Sequence, residues 1–279
     1  MKTLSRLRHL VMERLPARQS LKLRAYKAYL FGEPELRWAL TGIRQGELVV
    51  DIGSNLGVYT FWLAKRVGLS GRVVALDPAE QCARYLRTAT TQLGFTQVTV
   101  LHCGASDASG VLELHIPLAG EGVTLSRATF RPMAGPVQVT SAPVRPLDDL
   151  LSDRDRPVAF VKCDTEGHEL AVLLGAQKIL KTDHPSLLIE CEQRYLDHDM
   201  QETLDYVRGF GYAGWFLDAA GVQRPLEEFS PATHQLPYVG NPNSRNYINN
   251  FLFIHSTRSA APRAGGVHGG RTPSSRSVS

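Results

Sequence analysis

Two short blocks of the sequence combine glycine, acid and amide at spacings that can hold a ligand or move a proton. The first is Asp51-Ile52-Gly53-Ser54-Asn55-Leu56-Gly57, set between the apolar run ELVVDIG and the helical pattern VYTFWLAKRVG. Glycines at such a strand-to-helix turn let the backbone approach a ligand at the carboxyl end of a sheet. A dinucleotide fingerprint needs G-x-G-x-x-G, but Asn55 and Val58 stand where its later glycines belong. What remains is D-x-G-x-x-x-G followed by an acid, Asp77, ending the next apolar run, GRVVALDP. A carboxylate about 20 residues past the loop suits the two ribose hydroxyls of a nucleoside. Asp51 places negative charge near the same loop, which favours an ammonium or sulfonium ligand over a pyrophosphate. The combination points to S-adenosylmethionine rather than NAD. The plainer account is that both acids cap helices and the glycines only make turns.

The second block is Lys162-Cys163-Asp164-Thr165-Glu166-Gly167-His168-Glu169. Strand alternation puts Lys162 and Asp164 on one face, with Asp164 where the chain reaches the end of the sheet. Acids crowded directly after a buried strand are costly unless they meet solvent, a cation or a substrate. Asp164 or Glu166 could therefore serve as a general base, with Lys162 orienting the carboxylate. Thr165, Glu166 and Glu169 also suit the first turn of the next helix, and His168 reads as a surface residue. Glu190 and Glu192, ending the run SLLIECE, could join Asp164 around a hard divalent cation. A metal is an open alternative here but not the expected one, since no Asn or His completes the set. A third turn, Gly104-Ala105-Ser106-Asp107, follows the strand VTVLHCG. Ser106 and Asp107 there either meet the adenine end of a nucleoside or form an ordinary Asx turn.

The elements that must position these residues alternate in a βαβ rhythm. ELVVDIG, GRVVALDP, VTVLHCG, PVAFVKCD and SLLIECE read as buried parallel strands, with helices over VYTFWLAKRVG, AEQCARYLRTATTQLG, GHELAVLLGAQKILKTD and MQETLDYVRGFG. Residues 110–147 break the rhythm with β-like VLELHIP and VQVTSAPVR and no helix between them, which predicts an antiparallel excursion. YAGWFLD and YINNFLFIH predict a closing antiparallel strand pair separated by the loop 219–246. The fold class is α/β, a doubly wound sheet.

Charge is uneven along the 279 residues. Residues 1–45 hold ten Lys/Arg against three acids, residues 258–279 four Arg and no acid, and residues 46–257 seventeen basic against twenty-four acidic residues. This divides the chain into a basic N-terminal segment of two short amphipathic helices, 1–45, a catalytic body, 46–257, and a Gly/Ser/Arg-rich tail, 258–279, expected to be disordered. The N-terminal segment reads as a helical cap, with weak contact to a membrane surface as the alternative. An acidic body argues against a nucleic-acid groove. The four cysteines, with no CxxC pair, read as reduced buried thiols. No apolar run is long enough to span a bilayer, so the expected compartment is the cytoplasm.

In order and spacing, VVDIGSNLGVYTFWLAKRVGLSGRVVALDP, GASDASG, PLDDLL, VKCDTEGHELAVLLGAQKIL and PSLLIECE resemble the successive blocks of the FkbM family of S-adenosylmethionine-dependent methyltransferases, over roughly residues 46–192. The resemblance implies a class I Rossmann-like fold with seven strands. It also implies methyl transfer to oxygen, on acceptors that are often hydroxyls of saccharides, glycolipids or other natural products. It places Asp51, Gly53, Asn55 and Gly57 around the methionine part of the cofactor and Asp77 at the ribose. Two departures stand out: Asp77 where members usually have Glu, and Thr and Gln in RTATTQLG where they tend to have Asn. Two other readings share the fold. A nucleic-acid methyltransferase would want an N/D-P-P-Y/F block or a Pro-Cys nucleophile, neither of which occurs; a non-catalytic binding module would keep the cofactor loop alone.

Overall fold

The computed structural model describes residues 15–119, 122–242 and 244–258. The first of the two basic N-terminal helices expected from sequence lies outside them, as does the tail from residue 259. The described part begins with helix α1, Ala17–Lys27, a π-helical turn, Ala28–Gly32, and helix α2, Pro34–Thr41, which opens with proline at its first position. There follow β1, Leu48–Ile52; α3, Val58–Val67; β2, Arg72–Asp77; α4, Glu80–Gln92; and β3, Val98–His102. The excursion comprises β4, Gly104–Ala105; β5, Gly110–Ala119; β6, Gly122–Val123; and β7, Val137–Arg145. The second half runs β8, Val158–Cys163; α5, Glu169–Leu174; α6, Gln177–Thr182; β9, Ser186–Glu190; α7, Met200–Arg208; β10, Tyr212–Leu217; β11, Gln223–Pro225; and β12, Asn250–His255.

The main sheet has eight strands in the order β11-β10-β12-β9-β8-β1-β2-β3. β1 pairs in parallel with β2 on one side and β8 on the other, so the chain reverses its direction of winding at the carboxyl end of β1. Ligands bind at such a switch point in open α/β sheets. All five residues of β1 are buried, and they alternate between two cores. Leu48, Val50 and Ile52 face Val172, Leu173, Ile179 and Leu204, while Val49 faces Leu36, Ala39, Leu63 and Val67. A strand covered on both faces reads as a continuous apolar run, which is why its period-two pattern is absent from the sequence.

β12 inserts antiparallel between β9 and β10, the closing pair expected from sequence, and β11 adds a short edge strand from within the 219–246 segment. The excursion is a separate four-stranded sheet in which β5 and β7 pair antiparallel from Gly110–Val144 to Pro117–Val137. It buries Leu114, Ile116 and Ala142 against Ala79 and Cys82, at the start of α4. One expectation needs correction: GHELAVLLGAQKILKTD is two helices, not one. A Cβ on Gly175 would lie 1.9 Å from the Ser106 carbonyl oxygen, so glycine is required at this contact, and the helix breaks there. α1 buries Leu21 and Ala25 against Leu86 of α4, but Leu23 and Tyr26 point outward, so this helix is less amphipathic than its leucine spacing suggested, and Leu30, in the π-helical turn, is exposed too. All four cysteines are free and buried. No helix among the described residues is long and apolar enough to cross a membrane.

Candidate active site

Two cavities meet at the switch point. The larger, about 820 Å³, lies between the N-terminal segment 30–37, the glycine loop after β1, and the chain at 217–221 and 242–250. The smaller, about 50 Å³, runs from the end of β2 under the strap 125–130. Gly53, Asn55 and Asp164 line both.

The glycine loop is built by backbone geometry. Gly53 has φ +71°, and a Cβ there would stand 1.7 Å from the carbonyl oxygen of Asp164, so the ends of β1 and β8 touch only because this residue lacks a side chain. Asn55, also at positive φ, donates its backbone N–H to Asp77 Oδ2 at 2.7 Å, and Ala79 N–H reaches Asp77 Oδ1 at 2.9 Å. These bonds hold the Asp77 carboxylate at the pocket edge. Burial nonetheless outweighs them, with Asp51 and Asp164 adding repulsion, and its pKa rises to about 6. Gly57 lies elsewhere than expected: it lines neither cavity, and a Cβ on it would strike Leu86 at 2.3 Å. Its role is to seat the start of α3 on α4. Asp51 also sits behind the loop, fully buried, accepting from Thr60 Oγ1 at 2.5 Å, with its other oxygen unpartnered.

β8 delivers the second block. Lys162 is 4% exposed, places its Nζ 2.8 Å from Asp164 Oδ2, and lies 4.8 Å from the centre of the Tyr59 ring. Burial works against its charge, but Asp164, Asp51 and Glu190 outweigh that, and the ammonium titrates above the ordinary lysine range. Glu169 is the keystone of the following loop. Its Oε1 accepts from Thr165 N–H at 3.0 Å, Thr165 Oγ1 at 2.9 Å and Gly167 N–H at 3.1 Å. The capping role read from the sequence therefore falls to this buried acid. Glu166 is left to project into the smaller cavity with φ +51°, where burial, then Asp164, Glu192 and Glu169, push its pKa up to about 8. Asp164 and Glu166 both line the smaller cavity, so the structure brings the two candidate bases together.

Ser106 and Asp107 line neither cavity. Ser106 is 2% exposed, donates to Asp107 Oδ1 at 2.9 Å, and stands 2.9 Å from His168 Nε2. His168 is thus a half-buried tie between this turn and the 164–169 loop, packed edge-to-face on Phe130, not a surface residue. Glu190 and Glu192 are held by Asn249 Nδ2, at 2.7 and 3.2 Å, and Glu192 by the Tyr247 hydroxyl and Arg194. Among the described residues no group of three or more His, Cys, Asp or Glu is arranged to hold a metal; the positive charge amid these acids is Lys162. Tyr247, Asn249 and Phe130 were not found from sequence, because nothing in their local spacing marks them.

The residues fit S-adenosylmethionine. Asp77 offers a carboxylate at the strand end, Leu114, Leu125 and Phe130 offer apolar walls for a base, and Asp164, on the wall of both cavities, suits a cationic sulfonium. The Ser54 hydroxyl lines the larger cleft, buried and without a partner, which leaves a donor free for a ligand. A family model, the methyltransferase FkbM domain, matches residues 51–213, more than half of the chain. The chain belongs to the FkbM methyltransferase family. Among solved structures, the methyltransferase is similar to an FkbM methyltransferase from Methylobacillus flagellatus, at 19% identity and a TM-score of 0.47, over 86% of this chain and 58% of that one. The chain thus spans little more than half the length of that protein. It is also similar to an S-adenosylmethionine-dependent methyltransferase from Aquifex aeolicus, at 17% identity and a TM-score of 0.45, over 85% and 96% of the two chains. A third is Aeropyrum pernix fibrillarin with bound S-adenosylmethionine, at 11% identity and a TM-score of 0.43, over 79% and 74%. No curated protein matches the sequence.

Proposed function

We propose that the methyltransferase methylates a hydroxyl of a saccharide, glycolipid or other natural product, with Asp164 taking the hydroxyl proton. The observation that carries this reading is the position of Asp164 on the wall shared by both cavities. Bound along the smaller one, S-adenosylmethionine supplies an electrophilic methyl group on a cationic sulfur. Asp77 holds the ribose, and Gly53, Ser54 and Asn55 surround the methionine part. Asp164, on the wall between the two cavities, would take the proton shed by an acceptor hydroxyl in the larger cleft as its oxygen gained the methyl group and the sulfonium C–S bond broke, leaving a neutral thioether. Lys162 fixes the carboxylate through the 2.8 Å ion pair. Glu166, protonated, adds a hydrogen-bond donor without adding a second negative charge. Most of the acceleration in such a displacement comes from alignment of oxygen, carbon and sulfur.

The lining of the larger cleft favours a polyhydroxylated acceptor: Glu33, Asp218, Asn249 and Asn250 offer polar groups beside the ring of Tyr247. Incubation with S-adenosylmethionine and a panel of oligosaccharides, glycolipids and natural-product alcohols should give mass gains of one methyl group on an oxygen. Turnover confined to RNA, or to a nitrogen acceptor, would overturn the reading.

A further inference from the structure

The outward row of α1, Arg18, Lys22 and Tyr26, lines neither cavity. Residues 15–32 contain four Lys/Arg and no acid. α1 turns Leu21 and Ala25 into the core, so Arg18, Lys22 and Tyr26 form an outward row at four-residue spacing that Leu30 prolongs, with Leu23 and Lys27 beside it. Leu23 is 53% exposed, Leu30 56% and Phe31 83%. These are large apolar side chains in contact with water, interleaved with cations. Lys65 of α3 joins the same surface, its ammonium 3.3 Å from the Tyr26 hydroxyl. Leu30 and Phe31 also stand at the mouth of the larger cleft.

We infer that this face docks the methyltransferase on an anionic lipid bilayer. Cations beside Leu and Phe, with the nearest acids, Glu33 and Glu35, lining the cleft, match a surface of negative headgroups over hydrocarbon. A protein partner of mixed charge would call for acids on this face as well. Each lysine or arginine near such a surface adds attraction that fades within a Debye length, and Leu30 and Phe31 supply the apolar anchor. If the methyl-transfer reading holds, the docked cleft opens toward the bilayer and would meet an acceptor carried on a lipid. The docking itself is tested without cofactor or acceptor.

The probe is sedimentation of the full chain with vesicles of phosphatidylcholine containing about 30% phosphatidylglycerol, against phosphatidylcholine alone. The chain should co-sediment with the anionic vesicles only, and release in high salt. The triple variant R18E/K22E/K27E should lower partition about a hundredfold. L30S/F31S should lower it while leaving the salt dependence in place. Melting curves matching the wild type confirm that the variants fold. A chain that stays in solution with anionic vesicles, or a triple variant that still binds, overturns the proposal. So does a concentration-dependent dimer in gel filtration that these substitutions abolish, which would give the face to a second copy.

Discussion

The two walls of the site are built differently. The cofactor wall is made of strand ends: β1 supplies Gly53, β2 Asp77 and β8 Asp164, and their mutual position follows from the register of three adjacent parallel strands. The acceptor wall is made of segments far apart in sequence, 30–37 and 217–250, the second tied to the end of β9 by side-chain bonds such as Asn249 to Glu190. A wall fixed by backbone pairing changes little when side chains change, whereas a wall of loops can be rebuilt without disturbing the sheet. On the proposed function, recognition of the methyl donor and choice of acceptor would be carried by separable parts of the fold.

The largest effect that would test this contrast comes from the backbone contact between β1 and β8. Gly53→Ala would put its Cβ 1.7 Å from the Asp164 carbonyl oxygen, which must be pushed away, and would force alanine to φ +71°, so it should abolish cofactor binding and turnover and cost several kcal/mol of stability. Gly110→Ala, where an added Cβ meets nothing within 4 Å, should be neutral. Paired denaturant melts and calorimetry check both. If Gly53→Ala binds S-adenosylmethionine normally, the strand-end wall is softer than the geometry implies.

A smaller effect is expected at Glu166. Its pKa in the folded chain, about 8 against an ordinary 4.5, means that the folded state holds a proton the unfolded state has released. The stability this gives is complete below the unfolded value and is lost as pH rises through the folded one. Glu166→Gln removes that loss, so the melting temperature of the variant should gain on the wild type progressively from pH 5 to pH 9. A difference that stays flat with pH would mean that Glu166 is ionised in the native site.

The smallest effect is expected at the strap over the cofactor pocket. Thr129 Oγ1 donates to the Glu166 carbonyl at 2.7 Å, Arg131 Nε to the Gly167 carbonyl at 2.8 Å, and Arg131 pairs with Asp197 at 2.8 Å. The strap lines the smaller cavity, where the cofactor is proposed to bind, so loosening it should ease cofactor exchange. Asp197 is largely exposed, so its pair with Arg131 is weak, and Asp197→Asn should speed cofactor release by at most about fivefold in stopped-flow measurements. A larger change would place more of the closure in this pair than an exposed contact can hold.

The same contrast explains what the sequence reveals. The strands and the residues at their ends, Gly53, Asn55, Asp77 and Asp164, are legible because local pattern and strand register determine them together. Ser106 and Asp107 had two open readings from sequence, because what places their turn after β3 is His168, a partner 62 positions away from Ser106. The break at Gly175 is likewise invisible locally, since what demands it is the Ser106 carbonyl. Helix α2 carried a readable signal, proline at its first turn, that went unused. Tyr247 and Asn249 carry none: they belong to the site only because β12 returns beside β9.

The central claim is that Asp164 takes a proton while Asp77 holds the cofactor. The direct test is calorimetry with S-adenosylmethionine beside turnover on an identified acceptor, for Asp164→Asn and Asp77→Ala. Asp164→Asn should lower turnover about 10²–10⁴-fold and keep cofactor affinity, and chelators should leave the wild type unaffected. Asp77→Ala should weaken the cofactor by roughly 1–3 kcal/mol. Asp164→Asn with undiminished turnover, or wild-type activity that vanishes on chelation and returns with Mg²⁺, would contradict the account.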